Sequence, residues 1–280
     1  MATMFKPYPS GLLRWCWIAF LAGISLALSF TFSCSSDGGG GDGSSSSVAD
    51  GSSSFNSSSL SSSSVEYVGG SCNAADYGSV NINGQIWMAK NWGCYVSGSK
   101  CYNNDPTNCD KYGRLYDWAT AMALPSKCNS TLSTSDAECA ITTPYHKGIC
   151  PTGWHIPSNA DWDKLYRFAD GTSGTSSPYI SPTAGKHLKA KEGWNSCGPS
   201  DSGKSYSCED TYGFSALPGG YGYSGSGFDY VGDRGLWWSS SENGSDSAYS
   251  RGMYYNAEGV YYDYYSKDYL RSVRCLQDSP

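Results

Sequence analysis

The sequence predicts an α+β domain in which two helices pack on a twisted, mostly antiparallel sheet stapled by disulfides. Three observations predict it. Two segments with helical apolar spacing lie before residue 170, strand-like segments dominate after Gly213, and ten cysteines follow residue 70. The core is expected to be aromatic: Leu, Ile, Val and Phe make up only 39 of the 280 residues, whereas there are 23 Tyr and 10 Trp. Each such ring can bury roughly 150–250 Å². Lys and Arg number 19 against 25 Asp and Glu, for a net charge of -6, and no segment gathers the basic residues. A nucleic-acid partner is therefore not expected, because phosphate binding needs a cationic footprint.

The elements follow in order. Residues 77–88 alternate around Asn83-Gly84, the dipeptide that favours a two-residue hairpin turn. A polar, cysteine-bearing loop comes next. Within residues 112–124, Leu115, Trp118, Ala119 and Met122 fall at i, i+3, i+4 and i+7, which predicts a first helix ended by Pro125. A second helix opens at Ser158, with Asp161 at its third position and Trp162, Leu165, Tyr166 and Ala169 as its apolar stripe. A shorter helical piece spans residues 184–190 and ends near Gly193. Residues 214–223, 236–241, 247–256, 260–265 and 269–276 read as an antiparallel meander separated by Gly, Asn and Asp turns.

The first 64 residues do not read as globular. Residues 15–32 form an uncharged apolar run behind Lys6 and Arg14, an export signal that is either cleaved or kept as an anchor. Residues 28–34, LSFTFSC, resemble the lipobox of bacterial lipoproteins, in which a small residue precedes a cysteine that is acylated. The resemblance makes Cys34 the lipidation site and residues 1–33 the signal; the alternative is an ordinary cysteine of an apolar segment, like Cys16. Ser35 to Ser64 hold 16 Ser and 6 Gly, so residues 34–64 are expected to be a flexible tether with an r.m.s. length of about 30 Å. Residues 65–280 would then be the folded domain. Ser35, rather than the Asp that retains some lipoproteins at an inner membrane, favours the outer membrane.

Setting aside Cys16 and Cys34 leaves ten cysteines in a chain bound for an oxidising compartment. Spacing alone does not fix connectivity. Short gaps favour Cys72 with Cys94, Cys101 with Cys109, Cys128 with Cys139 and Cys197 with Cys208, which leaves Cys150 and Cys275. There is no CxxC pair, and the histidines are His146, His155 and His187, so a thiolate metal site is not expected.

Five segments stand out together: residues 77–92 (YGSVNINGQIWMAKNW), 113–122 (GRLYDWATAM), 150–162 (CPTGWHIPSNADW), 214–220 (FSALPGG) and 271–276 (RSVRCL). In this order they resemble the Fibrobacter succinogenes major paralogous domain. The resemblance implies a C-type-lectin-like fold with two helices, a twisted antiparallel sheet and a bridge between a mid-chain cysteine and one in the last strand. Cys150 and Cys275 stand at those two positions. It also implies an exported or lipid-anchored protein, and no enzymatic activity goes with the domain as such.

Candidate sites are few. His155 could act as a general base, but no Ser or Cys nucleophile motif adjoins it, and a buried imidazole fixing a turn is the reading adopted. Asp161 and Asp163 lie two apart on a helix and so point to different faces. The Glu-Pro-Asn, Gln-Pro-Asp and Trp-Asn-Asp triplets of calcium-dependent lectins do not occur; Trp194-Asn195-Ser196 is a partial echo. No cofactor is expected, and calcium is the one ion left open, with Asp229, Asp233, Glu242 and Asp246 as weak ligand candidates in oxygen-rich loops.

The fullest signal is aromatic. Eight tyrosines occur in the 21 residues from Tyr249 to Tyr269, with Tyr221, Tyr223 and Tyr230 before them. In 260–265, Tyr262 and Tyr264 share a face with Val260 and are expected in the core, while Tyr261 and Tyr265 flank Asp263 on the solvent face. Tyr230, Tyr254, Tyr261, Asp263 and Tyr265 are therefore the candidate ligand-binding residues, able to stack on sugar rings and bond their hydroxyls. The plainer alternative is that strands favour Tyr and that Tyr replaces scarce aliphatics. The expected function is non-catalytic recognition, of adhesion type, by a monomer anchored to the membrane through lipid. Its expected partner is carbohydrate or an envelope protein. A polysaccharide-acting enzyme and a structural envelope protein are the other two readings.

Overall fold

A computed structural model describes residues 71–171, 179–199, 205–225 and 227–279; the export segment, Cys34 and the tether lie outside them. Asn83 and Gly84 both take positive φ, 52° and 81°, as a two-residue type I′ turn requires. They join β1 (Ser79–Ile82) to β2 (Gln85–Met88) in the expected hairpin. The remaining strands are β3 (Trp154–His155), β4 (Tyr179–Ser181), β5 (Gly198–Pro199), β6 (Ser205–Tyr206), β7 (Gly219–Gly222), β8 (Phe228–Val231), β9 (Arg234–Glu242), β10 (Ser247–Tyr254), β11 (Val260–Ser266) and β12 (Leu276–Gln277). They form a four-stranded sheet in the order β1-β2-β12-β3, a six-stranded sheet in the order β4-β11-β10-β9-β7-β8, and the small β5-β6 pair.

The meander is present as β9-β10-β11, but β7 lies parallel to β9 through Gly220 and Gly235. That departure follows from β8, an unanticipated strand that folds back on the outer edge of β7, so the chain returns to the inner edge running in the original direction. The strand expected over 269–276 is mostly absent. There the chain bonds Gly222, Tyr116 and Leu236 in turn, changing partner at each step, and only β12 joins a ladder.

Four helices form. α1 (Pro106–Tyr112), capped by Asp105 with Pro at its first position, occupies the stretch expected to be loop. α2 (Trp118–Ala121) is shorter than expected because Leu115 and Tyr116 give their backbone groups to Lys100 and Arg271 instead of to a helix. α3 (Asn159–Ala169) begins with the capping box Ser158/Asp161 and buries Trp162, Leu165, Tyr166 and Ala169, as its spacing predicted. α4 (Ala184–Leu188) completes the set.

The core is aromatic as composition required: Trp87, Trp92, Trp118, Trp162, Trp237 and Trp238 are all fully buried. One cluster joins the α3 stripe to Trp87, Phe214, Trp237, Met253 and Val260; another gathers Met88, Trp92, Trp118, Trp238 and Val273 around Cys150 and Cys275. Among the described residues five disulfides form, pairing Cys72–Cys94, Cys101–Cys109, Cys128–Cys139, Cys150–Cys275 and Cys197–Cys208. Arg274, fully buried, locks the two sheets' neighbourhoods together: its guanidinium donates to the carbonyls of Met88, Phe214 and Ser215 and to Asn91 Oδ1.

Candidate functional site

Cross-strand partners share a face, so the register sorts the side chains of the large sheet. Arg251, paired with Trp237 and Tyr262, shares its face with Met253 and Val260, toward α3. The opposite face carries Trp238, Ser250 and Asp263 in one row, Gly252 and Tyr261 in the next, and Arg234 beside Tyr254. Tyr265 lies on this second face opposite Ala248.

Four tyrosine rings run across it. Tyr230, Tyr221, Tyr269 and Tyr265 follow one another at centroid distances of 5.8, 6.0 and 6.1 Å, with planes inclined by 19°, 13° and 28°. Tyr254 and Tyr261 pack together beside them at 4.9 Å. Into this group the chain inserts Arg271, only 1% exposed, its guanidinium 4.2 Å from the Tyr265 ring centre, 5.1 Å from Trp238 and 5.9 Å from Tyr221. Nε and Nη1 of Arg271 have no acceptor among the described residues, and no carboxylate pairs with it. Cation–π contact on several sides is what offsets its desolvation. A second guanidinium, Arg234, lies 3.7 Å over Tyr230 and 5.4 Å from Tyr254.

These groups border an open cavity of about 540 Å³, lined by Tyr230, Asp233, Arg234, Tyr254, Asn256 and Tyr265 among others. That volume is within the range of small-molecule sites. Burial lowers the Arg271 guanidinium to about 10, which leaves it cationic at neutral pH. Burial, reinforced by Asp263 and Tyr254, raises the Tyr265 phenol to about 12, and burial also raises Tyr254. The face thus offers neutral phenols as donors and acceptors around fixed positive charge.

The backbone here is unusual. Tyr230 is 43% exposed and sits at φ 65°, the left-handed region that a bulky residue rarely enters. Opposite it in the hairpin, Gly220 also has positive φ, and a Cβ there would lie 2.5 Å from the Asp229 carbonyl. Strain of this kind costs of order 1–3 kcal/mol and concentrates at functional sites. It holds the Tyr230 ring between Tyr221 and Arg234.

Of the residues singled out from sequence, Tyr230, Tyr254 and Tyr265 line the cavity, while Tyr261 and Asp263 lie on the same face. Two expectations need correction. Tyr264 is 55% exposed and Tyr262 half-buried, so only Val260 of that face reaches the core; their cross-strand neighbours are Tyr249 and the charged Arg251, not core side chains. The four acidic residues considered for calcium do not converge. Asp229 accepts from Tyr223, Asp233 from Asn195, Asp246 from Ser247, and Glu242 pairs with buried Lys267 at 2.6 Å. Among the described residues no group of three or more His, Cys, Asp or Glu is placed to hold a metal.

His155 is 1% exposed, with Nδ1 2.8 Å from Asp278 and Nε2 3.7 Å from the capping carboxylate of Asp161, which agrees with a structural imidazole. Asp161 and Asp163 indeed diverge, Asp163 pairing with Arg251 at 3.2 Å. The sequence reading missed Arg234 and Arg271. The signal available was Arg271 and Arg274 three apart in the terminal segment RSVRCL, beside Val273, Cys275 and Leu276.

The fold and this face define a disulfide-stapled α+β domain with an aromatic and cationic cavity. Residues 80–277, more than half of the chain, match the Fibrobacter succinogenes major domain, and the chain belongs to that family. No curated protein and no solved structure matches it.

Proposed function

We propose that this protein is an exported, lipid-anchored recognition module of the bacterial cell envelope that binds carbohydrate through the tyrosine and arginine face of a C-type-lectin-like domain. The observation that carries the reading is the ring of tyrosines around Arg271, whose buried Nε and Nη1 lack a protein acceptor, beside an open cavity. Tyrosine rings supply apolar faces for the C–H side of a pyranose, and phenols and guanidinium groups supply its hydroxyl partners. The lectin-like assignment draws support from the long α3 helix, the curled sheet and the Cys150–Cys275 bridge. The anchor reading rests on residues 15–34 and the Ser/Gly tether.

A glycan and polysaccharide binding screen of the oxidised protein, run with calcium and with chelator, tests the reading. Saturable binding to one polysaccharide class, unaltered by chelator and without release of reducing sugar, is the expected result. A folded, fully oxidised sample that binds no glycan overturns it and moves the search to envelope proteins.

A further inference from the structure

We infer that the sugar this face takes bears a carboxylate, a uronic acid unit of an acidic polysaccharide, and that Arg234 is the residue that meets it. The inference rests on the carbohydrate reading above and narrows it to a chemical class.

Some cations elsewhere in the described residues have the ion pair that Arg234 lacks. Arg251 is paired with Asp163, Lys267 with Glu242, and Lys127 with Asp136 and Glu138. Arg234 lines the cavity, half-buried, with no ion pair and no side-chain hydrogen bond among the described residues. Its guanidinium is held over the Tyr230 ring and near that of Tyr254, contacts that fix the planar fork while using none of its N–H groups. The neighbouring Asp233, which lines the same cavity, makes no ion pair with it and accepts from the Asn195 amide at 2.8 Å. Arg271 adds a second positive charge next to Tyr265, with the Asp263 carboxylate acting on it from the same face.

A guanidinium at a cavity wall with no ion pair is unexpected in a chain of net charge -6. A neutral hexose would leave Arg234 without one. A uronate supplies a planar carboxylate that the Arg234 fork can bind through two parallel N–H bonds, while its ring lies against tyrosine. Burial on the protein side keeps the field of Arg271 less screened than that of a surface charge.

The test is calorimetric titration of the oxidised full chain with polygalacturonate, alginate and glucuronate-bearing xylan, each beside its carboxyl-reduced, neutral counterpart. Wild type, Arg234→Gln, Arg234→Lys and Tyr230→Ala are compared. The expected result is at least tenfold tighter binding of one acidic polymer than of its reduced form. Arg234→Gln should abolish that preference and Arg234→Lys should keep part of it. Equal affinity for acidic and reduced forms overturns the inference but leaves the carbohydrate reading standing, provided that Tyr230→Ala removes binding. Tighter binding of a sulfated glycan than of any uronate also overturns it. Absence of binding to every polymer, acidic or neutral, by a folded sample overturns both.

Discussion

Arg271 and Arg274 stand three residues apart in one segment, both are buried, and burial depresses both guanidinium groups. Their surroundings differ in kind. Arg274 donates to Met88, Phe214, Ser215 and Asn91, tying the first hairpin to the chain before β7, and Cys275 beside it is bridged to Cys150. Arg271 is wrapped in rings and leaves Nε and Nη1 without a protein acceptor. A buried charge whose hydrogen bonds close within the protein holds the fold. One held among ring faces, with no hydrogen bond to a carboxylate, keeps hydrogen-bonding capacity that the fold does not use.

The bridge next to Arg274 gives the largest expected effect. Replacing Cys150 and Cys275 together with Ser frees a loop spanning 125 residues, and the chain-entropy model puts the loss at about 4–5 kcal/mol. Denaturant unfolding should show that loss, and a change below about 1 kcal/mol would contradict it.

Arg274→Met comes next. It leaves the carbonyls of Met88 and Phe214 without their guanidinium donor and the Asn91 oxygen with the Trp237 indole N–H alone, at a cost of about 3–5 kcal/mol or roughly 10 °C of melting temperature. Arg271→Met should behave otherwise. It removes a desolvated cation that satisfies no acceptor and forfeits only ring contacts, so stability should move by less than about 1 kcal/mol while glycan affinity falls. Comparable losses for the two variants would erase the distinction between them.

A pH-dependent effect lies at the α3 cap. Burial alone would raise the Asp161 carboxyl, but the adjacent His155 ring and hydrogen bonds from Ser158 outweigh it and hold it below its ordinary value. A depressed carboxylate contributes stability that is fully present above its unfolded value, near 3.8, and is lost as pH falls through the lower folded one. Melting temperature should therefore drop below about pH 4, and Asp161→Asn should flatten that limb at a cost of about 0.5–2 kcal/mol near neutrality. An unchanged acid limb in Asp161→Asn would exclude the cap as its source.

Elements whose determinants are local were readable in advance. The Asn83-Gly84 turn, the Ser158/Asp161 box with its apolar stripe, and the β9-β10-β11 alternation each depend on neighbours in sequence. The four short bridges are the ones their gaps favoured, although spacing did not fix the connectivity, and the long Cys150–Cys275 bridge is the one that the family resemblance implied. The failures are non-local. Leu115 and Tyr116 carry a helical stripe yet bond Lys100 and Arg271, and Tyr264 matches Val260 in phase yet lies opposite Tyr249. The tyrosines of the candidate face were visible as a cluster. Arg234 and Arg271 were not, because what marks them is the absence of a partner, a property of the folded arrangement.

The most direct test of the claim that this face serves binding is to relieve Tyr230, which holds φ 65° at the rim of the cavity. Tyr230→Gly permits that backbone without strain and deletes the ring under Arg234. Measured on the oxidised protein, melting temperature should stay level or rise while binding to the polysaccharide found in the screen is lost. Retained binding, or a fall of several degrees in melting temperature, would show that the ring belongs to the scaffold.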